Sequence, residues 1–352
     1  MATPPPRARI TVQPGTSRWA EIVALARRQP YRVLFWVGTA CAVLGLAVWI
    51  TFAAMPELGY PGRSHATLLM QGFLLSFVLG FLFTMLPRAL GVALPGASTL
   101  GITVGAILAL GAAALTGHHV VAAAAHAVAL GTFILFAARR AFRLPERPPE
   151  PFVHIAVAFT STFVAAIASI ITECGVGPGW VGGLCRSLAG EGFVLMLVVG
   201  VGSFLVPKLT SPASGCDGPA PARASLPLEA LLAALMLTSY LVQWLPLIPD
   251  GEVRIRLGYG LRAAVFASFL VRHVLPRRMP PESPPYLAGL RWSLILTGVG
   301  LGLAAVLPRW VLAWQHMAYI GGLTWLTPVS YTHLPAHETK ANLVCRLLLE
   351  KK

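Results

Sequence analysis

Charged residues are scarce in this chain. Only 11% of its 352 residues are Asp, Glu, Lys or Arg, whereas 56% are hydrophobic. A soluble domain carries roughly 25% charged residues, so this composition excludes an ordinary soluble protein. Apolar runs of about twenty residues recur along the whole length, and each is long enough to span a bilayer. The chain therefore reads as an all-α polytopic membrane protein whose main partner is the lipid bilayer.

Acidic residues are the scarcer kind, and the net charge is +14. Such a surplus also occurs in nucleic-acid-binding proteins, but the aromatic interleaving that binds nucleic acid is absent here. The Arg residues lie between apolar runs and concentrate in alternate loops. By the positive-inside rule, this pattern predicts a membrane protein with a cytosolic N-terminus and excludes nucleic acid as a partner.

Cysteine is rare, with five residues, and no CxxC pair, Walker loop, GxSxG or HExxH motif occurs. Cys174 and Cys185 both follow the fifth apolar run, on the outer side by the charge pattern. A disulfide is permitted there, and we expect one, with two free thiols as the alternative. Cys41 should pack as an apolar residue, and Cys216 should stay reduced in a cytosolic loop.

Three regions follow from composition. Residues 1–30 form a polar cytosolic tail, in which Trp19, Ile22 and Leu25 share one side of a short interfacial helix. Residues 31–328 form the transmembrane domain. Its apolar segments are 33–54, 66–86, 97–116, 119–139, 153–172, 187–207, 227–247, 257–275, 287–307 and 310–328.

Residues 329–352 differ in character from the rest of the chain. Three of the four Lys residues lie there, and LVCRLLLEKK resembles translated read-through of a sequencing adapter ending in poly-A. We interpret this tail as non-native, with a genuine amphiphilic tail as the alternative. His333, His337 and Cys345 then carry no function, and further native helices are expected beyond residue 328.

A sequence pattern in the second segment returns in the sixth. The matching positions are Gly72-Phe73, Gly80 and Pro87-Arg88 with Gly192-Phe193, Gly200 and Pro207-Lys208. Gly and Phe are common in membrane helices, so chance is the alternative explanation. Equal placement four helices apart favours a duplicated four-helix unit, with the tenth segment as a third copy.

Ionisable side chains inside a membrane are costly, so each is a candidate functional residue. His65 and His316 lie at similar depth near the outer ends of the second and tenth segments. Imidazole is a common ligand of haem iron and of copper, so this pair is the first candidate for a haem or metal site. The alternative is one interfacial and one hydrogen-bonded core histidine.

Other candidates gather in the outer half. His126 lies on an Ala-rich helix and is a further candidate metal ligand, whereas the adjacent His118 and His119 are best explained as solvated loop residues. Arg262 could pair with a haem propionate or extend to the outer interface. Glu191 takes the repeat position of Gln71, so this polar site could handle protons or bond to a neighbouring helix.

The run HATLLMQGFLLSFVLGFLFTMLPRALG resembles the second-helix motif of the NnrS family, and HMAYIGGLTWLT resembles that family's second histidine motif. These are bacterial membrane proteins of about twelve helices that contain haem and copper and are linked to nitric-oxide metabolism. The resemblance implies haem ligation by His65 and His316, and either nitric oxide or a respiratory redox partner. More distantly, the arrangement is similar to that of haem-copper oxidase subunit I.

The sequence departs from that family at two positions. The family motif reads HAHEM, and this chain has Thr67 and Leu68 where the family has its second His and its Glu. Two ligands are thereby lost, which puts copper in doubt. Two other functions stay open: a proton-coupled small-molecule transporter that uses Glu191 and Arg262, and a non-catalytic assembly factor for a respiratory complex. Whether the protein is an enzyme is left open.

Overall fold

The computed structural model describes residues 17–141, 148–210, 225–276 and 285–323. This part of the chain is helical and contains no strand. We number the helices α1 to α11, joining parts that run on without a break. They are α1 (Arg18–Arg28), α2 (Tyr31–Ala54), α3 (62–90), α4 (Ala97–Leu115), α5 (His119–Ala141), α6 (Phe152–Glu173), α7 (179–210), α8 (Leu226–Trp244), α9 (251–274), α10 (Pro285–Val306) and α11 (311–323).

The ten apolar segments expected from the sequence correspond to α2 to α11, which confirms the all-α bundle. Within the described ranges, eight helices are long and apolar enough to cross a membrane. α9 is not among them; it carries several charged residues. α11 is described only as far as Leu323. The tail at 329–352, which we interpret as non-native from its sequence, and Cys216 lie outside the described residues.

The first helix, α1, has the amphipathic character that the sequence predicts. The Ser17 side chain caps it by accepting a hydrogen bond from the Ala20 amide, which satisfies one of the free N–H groups of the first turn. Trp19, Ile22 and Leu25 are all exposed. The Arg27 Nε donates to the Pro95 carbonyl at 3.2 Å, which ties α1 to the start of α4.

Helices α3, α7 and α11 share a backbone irregularity. Each contains a π-helical segment, at Thr67–Leu74, Leu188–Gly192 and Met317–Leu323. Such segments are rare and cluster at functional sites. These three segments recur every fourth helix, as the predicted four-helix repeat requires, whereas a further π segment in α9, at Leu270–Val274, does not fit this spacing.

The repeated glycines support the same conclusion through packing. A Cβ at Gly80 would lie 2.9 Å from the Phe35 ring on α2, and one at Gly200 would lie 3.0 Å from His154 on α6. Each glycine thus lets its helix approach the preceding one closely, as small residues do in membranes. A Cβ at Gly322 of α11 would likewise collide with Thr297 on α10, but Gly322 does not align with Gly80 or Gly200.

Aromatic side chains join the two halves of the bundle. The Phe133 ring of α5 stacks on Phe159 of α6 at 4.2 Å and meets Phe83 of α3 edge-on at 5.3 Å. Phe159 in turn contacts Phe193 of α7 at 5.0 Å. This row of rings holds α3 and α7 in fixed positions, and these two helices carry His65 and Glu191.

Candidate functional site

His65 lies in the first turn of α3, two residues before its π segment. Its Nδ1 is 2.8 Å from the Gly45 carbonyl oxygen of α2. A carbonyl oxygen only accepts, so Nδ1 carries a proton, and Nε2 is the nitrogen that has the lone pair in the neutral imidazole. The Trp49 ring meets the imidazole edge-on at 5.6 Å. The ring is therefore half-buried and held in one orientation by α2.

His316 stands one residue before the π segment of α11 and has the same kind of partner. Its Nδ1 lies 2.8 Å from the Leu312 carbonyl oxygen, one turn earlier in its own helix. Nδ1 again donates, and Nε2 is again left with a lone pair. The His316 side chain is exposed on the surface of the bundle. Both histidines therefore have the tautomer and the supporting bond that metal-bound imidazoles usually show.

Helix α7 lies between the helices that carry these two histidines. A Cβ at Gly190 would lie 3.7 Å from Met70 of α3, one turn beyond His65. The neighbouring Glu191 bonds to Gln315 and Tyr319 of α11, on either side of His316. In the described part of the chain, no hydrogen bond or ring contact joins the two imidazoles directly.

Glu191 is the centre of a buried polar network. Its carboxylate accepts from Tyr240 at 3.2 Å and from Arg262 at 2.9 Å through Oε1. Through Oε2 it accepts from three side chains at 2.9 to 3.0 Å, which are Tyr259, Gln315 and Tyr319. The donors come from α8, α9 and α11, so one carboxylate connects three helices to α7. We call Glu191, Arg262 and the groups bonded to them the Glu191 network.

Arg262 is only 1% exposed and contacts protein groups on every side. Its Nε donates to Ser239 at 3.1 Å, and its Nη2 donates to Gln243. The guanidinium also lies 3.8 Å from the centre of the Tyr240 ring. Arg262 therefore does not extend to the outer interface, which was the alternative to pairing with a haem propionate. A propionate could reach this group only after the pair with Glu191 had separated.

The Glu191 network does not resemble an open transport path. All five donors reach the carboxylate at hydrogen-bonding distance, and a narrow crevice beside it is lined by Tyr259, Trp314, Gln315 and Tyr319. Gln71, at the matching position of α3, is half-buried within its own π segment. Of the two roles considered for Glu191, the structure displays hydrogen bonding to neighbouring helices.

His126 is the other buried candidate ligand. Its side chain is 2% exposed, and Nε2 has no hydrogen-bond partner within the described residues. By contrast, His118 precedes α5 and is exposed, whereas His119 begins that helix and is half-buried. Groups of three or more His, Cys, Asp or Glu side chains that could hold a metal are absent from the described ranges.

The expected disulfide is not formed. Cys174 and Cys185 are both free cysteines, the first exposed at the end of α6 and the second buried in α7. The Cys185 thiol lies close to Ser169 of α6. Cys185 is part of α7 and is buried, so the two cysteines do not lie together in one loop as the sequence suggested. Cys41 is buried, as expected.

A second polar cluster, absent from the sequence-based predictions, lies at the opposite end of the bundle. Glu229 of α8 accepts from His154 Nε2 at 3.0 Å and from Arg272 Nη1 at 2.6 Å. The His154 and Glu229 side chains have no exposed surface, and Arg272 is 25% exposed. Arg272 belongs to the π segment Leu270–Val274 of α9. We call these three residues the Glu229 cluster.

These features define a class: a polytopic helical membrane protein with a repeated π-bearing helix and ionisable groups buried between its helices. A family model described as NnrS protein matches residues 26–342. The match covers most of the chain, which therefore belongs to the NnrS family, a family of nitric-oxide-related membrane proteins. Searches of the curated proteins and of the solved structures gave no match.

Proposed function

We propose that this chain is a haem-binding protein of the bacterial inner membrane that acts in nitric-oxide metabolism or resistance. His65 and His316 would be the axial ligands, in the outer half of the bilayer. The observation that carries the proposal is that both imidazoles donate from Nδ1 to a backbone carbonyl at 2.8 Å. Such a bond fixes the ring orientation and raises the basicity of the ligand nitrogen.

The protein's own contribution is to hold and orient the two imidazoles. The Gly45 carbonyl and the Trp49 ring hold His65 from α2. The carbonyl of Leu312 holds His316 from within α11. When bound, haem iron would exchange electrons, and nitric oxide could bind to it only in place of one of the two imidazoles. We propose no catalytic cycle, and a respiratory redox partner is the expected source of electrons.

Copper does not form part of this proposal. Leu68, at one of the two positions where the family pattern has a further ligand, has no exposed surface and packs against Gly45. Thr67 offers only a hydroxyl at the other position. His126 remains a candidate metal ligand because its buried Nε2 lacks a partner.

Optical spectroscopy of the purified, haem-replete protein tests the haem proposal. We expect a Soret band in the parent protein and its loss or a marked shift in His65→Ala and in His316→Ala. His118→Ala is the matched control, because this exposed histidine is expected to be solvated. A parent protein without a Soret band would rule the proposal out. If that haem-free protein co-purified with a respiratory complex, the assembly-factor alternative would be favoured.

The same proposal includes the three regions into which the sequence divides the chain. Residues 1–30 would lie on the cytosolic side, residues 31–328 would form the membrane domain, and residues 329–352 would be non-native. The family match, which extends to residue 342, counts against placing the start of the non-native tail at residue 329. The transporter alternative predicts proton-coupled uptake into vesicles that Glu191→Gln abolishes. The full set of five hydrogen bonds on that carboxylate argues against a group that exchanges protons during each transport cycle.

A further inference from the structure

The Glu191 network touches α11 at two side chains that flank His316. Gln315 Nε2 donates to Glu191 Oε2 at 3.0 Å, and the Tyr319 hydroxyl donates to the same oxygen at 2.9 Å. Gln315 also donates to the Tyr259 hydroxyl at 2.5 Å. The sequence neighbours of His316 are therefore held by a buried carboxylate on another helix.

Spacing along the helix explains why these bonds matter for His316. Gln315 and Tyr319 are four residues apart and lie on one face of α11. His316 follows Gln315 directly, so its side chain leaves the helix about 100° further round. Fixing the face that bears Gln315 and Tyr319 therefore fixes the direction in which the imidazole of His316 points.

Glu191 is itself held in place from two other helices. Arg262 of α9 donates to its Oε1, while Tyr240 of α8 donates to the same oxygen. Arg262 is held in turn by Ser239, 3.1 Å away. A rotation of α11 would have to break charge-assisted hydrogen bonds in a buried, low-dielectric setting, where such bonds are strong.

We infer that Glu191 is a positioning residue for His316, acting through Gln315 and Tyr319. The inference rests on the proposed haem function, since it assigns Glu191 a role in orienting one of the two axial ligands. It also gives Arg262 a role different from binding a propionate: Arg262 orients Glu191. The network is thus a support for the ligand helix and does not itself contact the iron.

The test compares three variants of the full chain after purification with haem. Glu191→Gln removes the charge, and Tyr319→Phe removes one hydroxyl while leaving the Glu191–Arg262 pair intact. Glu229→Gln is the matched control, because it also removes a buried carboxylate paired with an arginine, but at the opposite end of the bundle. The readouts are the electron paramagnetic resonance signal of the ferric haem, which depends on the orientation of the axial imidazoles, and the haem midpoint potential.

We expect Glu191→Gln to change both the resonance signal and the midpoint potential. Tyr319→Phe should change them in the same direction by a smaller amount. Glu229→Gln should leave both at the parent values. An unchanged signal in Glu191→Gln and Tyr319→Phe would overturn the inference, since packing against α10 would then hold His316 unaided. Equal changes in all three variants would also overturn it, because they would indicate general loosening. A parent protein without haem would instead contradict the proposed function.

Discussion

The Arg262 Nη1 lies 2.9 Å from the Glu191 Oε1, and neither side chain is exposed by more than 5%. The two residues are 71 positions apart in the chain and stand on α9 and α7. A buried ion pair needs further hydrogen bonds to offset the cost of removing two charges from water. Tyr, Ser and Gln side chains from three helices supply them, which makes this pair the centre of a network and not an isolated contact.

Replacing Arg262 by Met should strongly destabilise the protein, because Glu191 would be left as an uncompensated charge among apolar helices. Breaking one partner of a buried pair costs about 3–5 kcal/mol in typical cases. The measurement is the unfolding midpoint in detergent. The double variant Glu191→Leu, Arg262→Met should recover much of the loss, since no lone charge then remains.

Arg256→Met is the control for that prediction. Arg256 pairs with Glu252 four residues away on α9, and both side chains are more than 40% exposed. Exposed pairs of this kind contribute roughly 0–1 kcal/mol. A loss in Arg256→Met as large as that in Arg262→Met would show that the buried pair has no special role.

Substituting Gly45 by Ala should disturb His65 without removing it. An added Cβ would lie 3.1 Å from Leu68 and Leu69 of α3, so these side chains must shift by a few tenths of an ångström relative to α2. The Gly45 carbonyl accepts the hydrogen bond from His65 Nδ1, and this bond should lengthen. We expect a weaker or shifted Soret band in the haem-replete protein, with the histidine still present.

Gly105→Ala provides the comparison, because a Cβ at Gly105 on α4 meets no atom within 4 Å. This variant should keep the parent spectrum. Identical spectra for Gly45→Ala and the parent would contradict the claim that the α2 contact orients His65.

Glu229→Gln should separate stability from haem binding. The change weakens the bonds to His154 and Arg272, and it leaves the Arg272 charge without its carboxylate at the end of α9. We expect a lower unfolding midpoint with an unchanged haem spectrum. A loss of haem in this variant, at temperatures where the protein stays folded, would show that the two ends of the bundle are coupled.

The helices could be predicted from the sequence because each apolar run is local and of membrane-spanning length. The side-chain partners could not, because they depend on residues far apart in the chain. Tyr319 lies 128 positions from Glu191, and Glu229 lies 75 positions from His154. Glu229 resembled an ordinary first-turn residue of α8, and His154 an ordinary helix-end residue. The π segments also carry no composition that separates them from the α-helix around them.

A membrane-impermeant maleimide should label Cys174 from the periplasmic side without prior reduction. The residue is an exposed free cysteine at the end of α6, while Cys185 is buried. A variant with Cys174 as its sole cysteine should therefore react in intact spheroplasts, and one with Cys185 alone should react only after unfolding. The proposed orientation rests on the Arg bias of the loops. If Cys174 were labelled only after the cells are opened, that orientation would be wrong. If the parent protein reacted only after reduction, Cys174 would be shown to form the disulfide that is absent from the structure.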